Sequence, residues 1–432
     1  MISASTPSFG SPSFKLVVKG LLELHRLMKD GKDDSPEAES IRDALDAPLS
    51  ALSRADYERS RWLSEDLYSV SEPDDSVRKE MNPQAQKQLV EALEARQRRQ
   101  WDRSLELLRR WKAYISPALL SYMRGTIWLD GGFADVAAVF FGHAAECDPD
   151  SETYQAIHLR TLGQADPEAA GKLSSAILAN VEQHAPLVVA EAANVRLYGT
   201  QHMSEGERAQ VSRQLIPILE TNLSRIENGG DESRCSPEFV MTVWKLGVCH
   251  ELLENTTAAV DYISKAIQAN PNNDALLVAR GLALYGKSQQ AIGDLERALS
   301  LGSSVVWPYF FLAHHYLATR RFEQCRAMCE TALRMNASDT VKSQLEAWRA
   351  IAMAELGFPP EAVRSAFEEA LRLDPANEPA RHNQDAFQAA LKAPAVPCEA
   401  RWQQVPHATV RHMGLVEQQH SETASSLLLS AN

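Results

Sequence analysis

His314-His315 and the pair Cys325 and Cys329 are the residues of this chain best suited to hold a metal. Cys and His side chains four apart return to one helix face and can share an ion. Yet Cys325 and Cys329 stand where neighbouring segments carry Ala259, Ala291, Ile263 and Leu295, so core packing is expected and no metal site. The C-terminal histidines His407, His412 and His420 have neither an i, i+4 partner nor a carboxylate beside them. Gly131-Gly132 and Gly229-Gly230 follow no strand and precede no Lys-Ser/Thr, which excludes a phosphate-binding loop and a dinucleotide fingerprint. No cofactor is expected. The run Arg96, Arg98, Arg99, Arg103, Arg109 and Arg110 beside Trp101 and Trp111 is the one stretch suited to a nucleic acid. Glu91, Glu94, Asp102 and Glu106 interleave with it, and the formal charge of the chain is −13, from 44 basic and 57 acidic residues. That balance repels phosphate backbones and anionic membranes, so neither is an expected partner. The six cysteines form no Cys-x-x-Cys pair and suit a reducing compartment. No catalytic constellation appears, and the chain is expected not to be an enzyme.

The elements that must position any site are repeats. Gly247, Gly281 and Ala313 are spaced by 34 and 32 residues; Ala259, Ala291 and Cys325 keep that register, as do Ile263, Leu295, Cys329 and then Ala266, Ala298, Ala332. Small, large, small at i, i+4 and i+7 is one face of a helix, so each unit reads as two helices. A side chain larger than Gly or Ala at a close crossing would hold the backbones apart. Asp148-Pro149-Asp150, Asn270-Pro271-Asn272 and Asp374-Pro375-Ala376 end units, since proline cannot continue a helix and Asp or Asn caps the next.

These columns resemble the tetratricopeptide repeat (TPR) family, whose unit is a helix-turn-helix of about 34 residues. The resemblance rests on Trp244, Leu246, Gly247, Ala259, Ile263, Ala266 and Pro271, and on Gly125, Trp128, Ala137, Phe141, Ala144 and Pro149. Tyr309, Leu312, Ala313, Tyr316, Phe322 and Ala332 supply another unit. The last has Ala350, Leu356-Gly357, Phe367, Ala370 and Pro375, with one residue too many between Ala362 and Phe367. Residues 85–117 place Ser104 and Trp111 where small residues are usual, 150–185 match sparsely, and 186–236 carry Pro217 inside a long helical segment, where a kink or break is expected. Eight units fit between 85 and 375. The resemblance implies an all-α fold of tandem helix-turn-helix repeats forming a right-handed TPR-like solenoid, with extra N-terminal helices and a C-terminal capping helix.

The expected division is a flexible N-terminus (1–13), an N-terminal helical region (14–80), degenerate repeats (81–236), well-matched repeats (237–375), a capping helix (376–392) and a mostly disordered tail (393–432). In the N-terminal region Leu16, Leu21, Leu24 and Leu27 lie on one helix and Ile41, Leu45, Leu49 and Leu52 on the next, with Ser35 capping at Pro36. Leu24-His25-Arg26-Leu27 and Trp62 to Tyr68 resemble a preamble found ahead of repeats in some uncharacterised bacterial proteins. In the capping helix Ala380, Phe387, Ala390 and Leu391 form the apolar side and Arg381, Asn383, Gln384 and Lys392 the polar one. Leu427-Leu428-Leu429 is the one apolar run of the tail, able to dock back or bind a partner. No signal peptide or membrane span is read, so a cytoplasmic location is expected.

What the resemblance implies functionally is a concave groove, lined by first helices, that takes a peptide or helix of a partner protein. The groove-facing positions are Met241, Trp244 and Val248, then Val278, Leu282 and Tyr285, then Trp307, Phe310 and His314; if exposed, they make an apolar aromatic strip of hot-spot composition. A tail or helix lying across them is the competing reading. The Lys and Asn clamp with which some family members grip acidic chaperone C-termini is missing, because its positions hold Trp244, Val248, Val278, Leu282, Phe310 and His314. A protein-binding scaffold is expected; a regulatory subunit of a separate enzyme and a self-assembling structural protein are the alternatives.

Overall fold

The structure is a computed structural model that describes residues 9–71, 78–199, 203–230, 236–335, 337–392 and 402–417. The chain divides into two compact units, Met1–Asn180 and Val181–Asn432, and among the described residues the regular structure of both is helical.

The first unit holds α1 (Pro12–Lys29), α2 (Pro36–Ser50), α3 (Arg54–Ser69), α4 (Pro83–Gln97), α5 (Trp101–Trp111), α6 (Pro117–Asp130), α7 (Ala134–Cys147), α8 (Glu152–Ala165) and α9 (Pro167–Ala179). From α4 onward consecutive helices pack as pairs. At the α6–α7 crossing a Cβ on Gly125 would stand 2.7 Å from the Phe141 ring, which is why that column is glycine. Ser104 keeps the small-residue role by donating its buried hydroxyl to the Ala92 carbonyl at 2.7 Å, closing α5 onto α4. Ser35 caps α2 as expected, its hydroxyl accepting from Ala38 N at 3.2 Å.

Among its described residues the N-terminal region has three helices, fixed to the repeats by buried charge. Asp66 of α3 accepts from Arg109 at 2.5 Å and from Arg124 at 2.7 Å, the Asp66 and Arg124 side chains being nearly solvent-free. Arg59 grips Asp102 with two hydrogen bonds of 2.5 and 2.9 Å and donates to the Phe9 carbonyl. Residues 9–13 are thus not a loose leader: Phe9 is buried edge-on against Trp101 and Trp128, and α1 begins at Pro12. Residues 1–8 lie outside the described residues. Four of the six arginines of the run pair with carboxylates: Arg96 with Asp130, Arg98 with Glu94, Arg103 with Glu91 and Glu106, and Arg109 with Glu65 and Asp66.

The second unit holds α10 (Pro186–Tyr198), α11 (Glu205–Glu227), α12 (Pro237–Leu252), α13 (Thr256–Ala269), α14 (Asp274–Leu284), α15 (Gln290–Ser300), α16 (Val306–Ala318), α17 (Phe322–Ala332), α18 (Asp339–Glu355), α19 (Pro360–Leu373), α20 (Glu378–Lys392) and α21 (His407–Glu417). Helices α10 to α19 pack as successive pairs. A Cβ on Gly247 would stand 2.7 Å from Ile263, and one on Gly281 2.9 Å from Leu295, so both glycines mark crossings as their columns require. The extra residue in the last unit disappears, because Val363, four before Phe367, is the fully buried column residue and Ala362 lies to the side. Helix α11 runs through Pro217 without a break. Its capping box at Ser204 and Glu207 and the buried ladder Leu215, Leu219 and Leu223 outweigh the loss of one hydrogen bond, an interior proline costing about 3 kcal/mol.

Helix α20 is the expected end helix, burying Ala380 and Phe387, but Leu391 is exposed and Asn383, read as polar surface, is buried. The tail also departs from expectation at 402–417, where α21 forms. Leu427-Leu428-Leu429 lies outside the described residues. Among the described residues no helix is long and apolar enough to cross a membrane.

Candidate functional site

The groove-facing strip is present but not open. Met241, Trp244, Val278, Leu282, Tyr285, Trp307, Phe310 and His314 are all buried, and only Val248 is half-exposed. Helix α12 packs against α10, α11, α13 and α14, which accounts for Met241 and Trp244; Lys245 lies 4.0 Å over the Trp244 ring. Phe310 packs against Trp348 with tilted rings at 4.8 Å and meets Trp307 edge-on. Met241, Trp244, Val278, Trp307 and Phe310 are therefore core.

The remainder, Leu282, Tyr285 and His314, is covered by the chain's own C-terminal segment. Residues 402–406 run without regular structure and lead through Pro406 into α21, which lies on α14. Trp402 donates its indole N–H to Glu355 at 2.7 Å and stacks near Phe367. Gln403 and Asn383 exchange two hydrogen bonds, Gln403 N to Asn383 Oδ1 at 2.7 Å and Asn383 Nδ2 to the Gln403 carbonyl at 3.1 Å. An amide side chain pairing with a backbone amide is the geometry of a docked strand, and this explains the burial of Asn383.

His314 reads the next step of the backbone. Its Nε2 donates to the Val405 carbonyl at 2.8 Å, and its Nδ1 accepts from the Tyr285 hydroxyl at 2.7 Å; that tautomer is assigned from the two partners. Burial holds the imidazole neutral, its pKa lowered to about 4. The Tyr285 hydroxyl also lies 2.9 Å from the Phe311 carbonyl, and burial pushes its pKa well above the usual range. The His407 ring completes the cluster, 4.8 Å from His314 and 5.3 Å from Tyr285.

Helix α21 then presents His407, Val410, Arg411 and Gly414, which at i, i+3, i+4 and i+7 share one face. Val410 is fully buried. Gly414 lies so close that a Cβ would overlap the Phe311 ring and stand 3.0 Å from Leu282. Likewise Gly286, in the left-handed region at φ +76, lets the His407 side chain approach its backbone. Arg411 donates to Glu251 at 3.0 Å, and the Glu251 side chain is 3% exposed. Burial raises the Glu251 pKa, opposed by Arg411 and Lys287.

The groove thus recognises an extended backbone, an apolar side chain and a cation in one register. Residue spacing locates its walls but not Glu251, Asn383 or the docked segment. The signal was the spacing of His407, Val410, Arg411 and Gly414, hidden because Val410 alone is a large apolar residue.

The cysteines of the repeat columns lie where the columns put them, in the core. Cys325 and Cys329 are fully buried, and burial pushes the Cys329 thiol well above its ordinary value, whereas His314 faces Tyr285, Trp348 and His407. Among the described residues no three His, Cys, Asp or Glu side chains gather as a metal site would need. The side chain of His412 and all of His420 lie outside the described residues. A nucleophile–base pairing not read from the sequence occurs on α7, where Cys147 Sγ lies 3.5 Å from His143 Nε2 and His143 Nδ1 lies 2.8 Å from Ser121 Oγ. Burial raises the thiol and lowers the imidazole, so the thiol keeps its proton at neutral pH.

Residues 243–273 match the sequence model of the tetratricopeptide repeat. No curated protein matches the chain. Among solved structures, a thermophilic TPR protein of Thermus thermophilus is 14% identical, with 43% of this chain and 100% of that one covered at a TM-score of 0.28. The C-terminal part of a TPR repeat-containing protein from Cytophaga hutchinsonii is 12% identical, with 68% of this chain and 98% of that one covered at a TM-score of 0.29. Residues 243–273 thus match a tetratricopeptide repeat, and the described residues of the chain form an all-α array of packed helix pairs.

Proposed function

We propose that the chain is a non-catalytic interaction scaffold of the cytoplasm whose second unit binds a segment of a partner protein on the first helices α12, α14 and α16. The observation that supports this reading is the seating of residues 402–414, in which the groove side satisfies backbone, apolar and charged groups of a peptide at once. The groove of such a scaffold supplies affinity through buried apolar anchors and register through polar contacts.

The test is cross-linking of captured partners. Lys287, at the end of α14, sits beside Glu251 and Arg411, whereas Lys19 on α1 and Lys172 on α9 are exposed in the first unit. With an amine-reactive cross-linker, a partner captured from native lysate is expected to join at Lys287, on a chain whose sedimentation mass is monomeric. Cross-links confined to Lys19 and Lys172 would contradict the groove, and a mass that grows with concentration would favour self-assembly. Substituting Trp244 and Phe310 together is a poor probe, since both are buried and each truncation costs about 3–5 kcal/mol of stability.

A further inference from the structure

We infer that residues 402–414 are an internal ligand of the second unit, displaced by a partner segment of the same chemistry: an extended stretch running into a short helix that carries an apolar side chain followed by arginine. This rests on the scaffold reading and names the class of partner.

The segment has the attributes of a ligand rather than of a core element. The repeat pairs α14–α15 and α16–α17 pack on each other directly, Gly281 meeting Leu295 and Ala313 being fully buried. Its polar contacts are directed ones: the Arg411–Glu251 ion pair, His314 to the Val405 carbonyl, the Asn383–Gln403 exchange and Trp402 to Glu355. An apolar core would need none of these, whereas an exchangeable ligand needs them to fix register. Helix α21 has 11 residues, too few to be stable alone in water, so it is helical while docked and unfolds on leaving. Release uncovers Leu282, Phe311 and Tyr285 and leaves the Glu251 carboxylate with only Lys287 among the basic groups that act on it. An incoming segment must therefore bring a cation to Glu251, and arginine reaches a buried carboxylate with less desolvation than lysine.

Gly414 offers a way to eject the segment without touching the groove, since any larger side chain meets Phe311. A fluorescein-labelled synthetic peptide of residues 402–417 is titrated into the full-length wild type, the full-length Gly414→Leu variant and the Gly414→Leu/Glu251→Gln double variant. The tethered segment competes at an effective concentration in the millimolar range, so the peptide is expected to bind Gly414→Leu at least about tenfold more tightly than wild type. Glu251→Gln should weaken that binding about tenfold, and an Arg411→Glu peptide should not compete. Equal binding to wild type and Gly414→Leu, or no binding to either with helicity and melting unchanged, overturns the inference. Indifference to Glu251→Gln overturns the cation requirement. Should Gly414→Leu fold poorly, full-length Arg411→Glu ejects the segment through charge repulsion at Glu251 and takes its place. If the peptide fails while partners still cross-link at Lys287, the internal ligand is wrong and the scaffold stands. If it binds as expected and no partner reaches Lys287, the reverse holds.

Discussion

At the scale of single residues, buried polar groups do what apolar packing cannot. Asp66 binds two guanidinium groups from α5 and α6, so its removal takes away the carboxylate that Arg109 and the buried Arg124 share. Asp66→Ala is expected to destabilise the first unit by about 3–5 kcal/mol, read as lost hydrogen-exchange protection in α3, with Leu67→Ala affecting the same helix through packing alone. His314 carries a pH dependence of defined sign. Docked, it is neutral with a pKa lowered to about 4, and the groups facing it are Tyr285, His315 on its own helix and His407 from α21. Undocking returns the ring to water and raises the pKa towards 6.5, so the open state binds more protons. Docking is therefore fully favoured above pH 6.5 and weakens by up to about tenfold per pH unit from there to about pH 4. Exchange of the α21 amides should accelerate on acidification from about pH 7 to about pH 5 beyond the intrinsic rate change. His314→Gln, which keeps a donor for Val405, should flatten that response.

At the scale of elements, the repeat columns were legible because their physics is local: where two helices touch, the residue must be small, and the constraint recurs with every pair. Gly281 and Gly293 separate this from mere composition. A Cβ at Gly281 meets Leu295, whereas nothing lies within 4 Å of one at Gly293 on α15. Gly281→Ala is expected to cost about 1–3 kcal/mol, and Gly293→Ala to add about 0.5–1 kcal/mol by reducing the entropy of the unfolded helix, both measured as shifts in urea unfolding of the second unit. Helix α11 through Pro217 and helix α21 were not legible, for different reasons. The first overrides a local penalty by burying Leu215, Leu219 and Leu223, which only tertiary packing reveals. The second has a contact face of His407, Val410, Arg411 and Gly414, in which hydrophobicity is nearly absent and the close approach at Gly414 does the packing.

At the scale of the whole molecule, the sequence pointed to the right helices and left open whether their surface is covered. Spacing placed Leu282, Tyr285 and His314 on one side of α14 and α16, where they do lie, but exposure depends on a segment 91 residues further along the chain from His314, beyond the reach of periodicity. A scaffold whose groove is filled from within is expected to bind partners weakly until the segment is released, and Arg411→Glu should raise partner capture severalfold. The docking of residues 402–417 is tested most directly by hydrogen exchange on the full-length chain, resolved at that segment. Docking predicts α21 amides protected in the wild type and exposed in Gly414→Leu, with the helices α4 to α9 unchanged. Unprotected α21 amides in the wild type at neutral pH would contradict it.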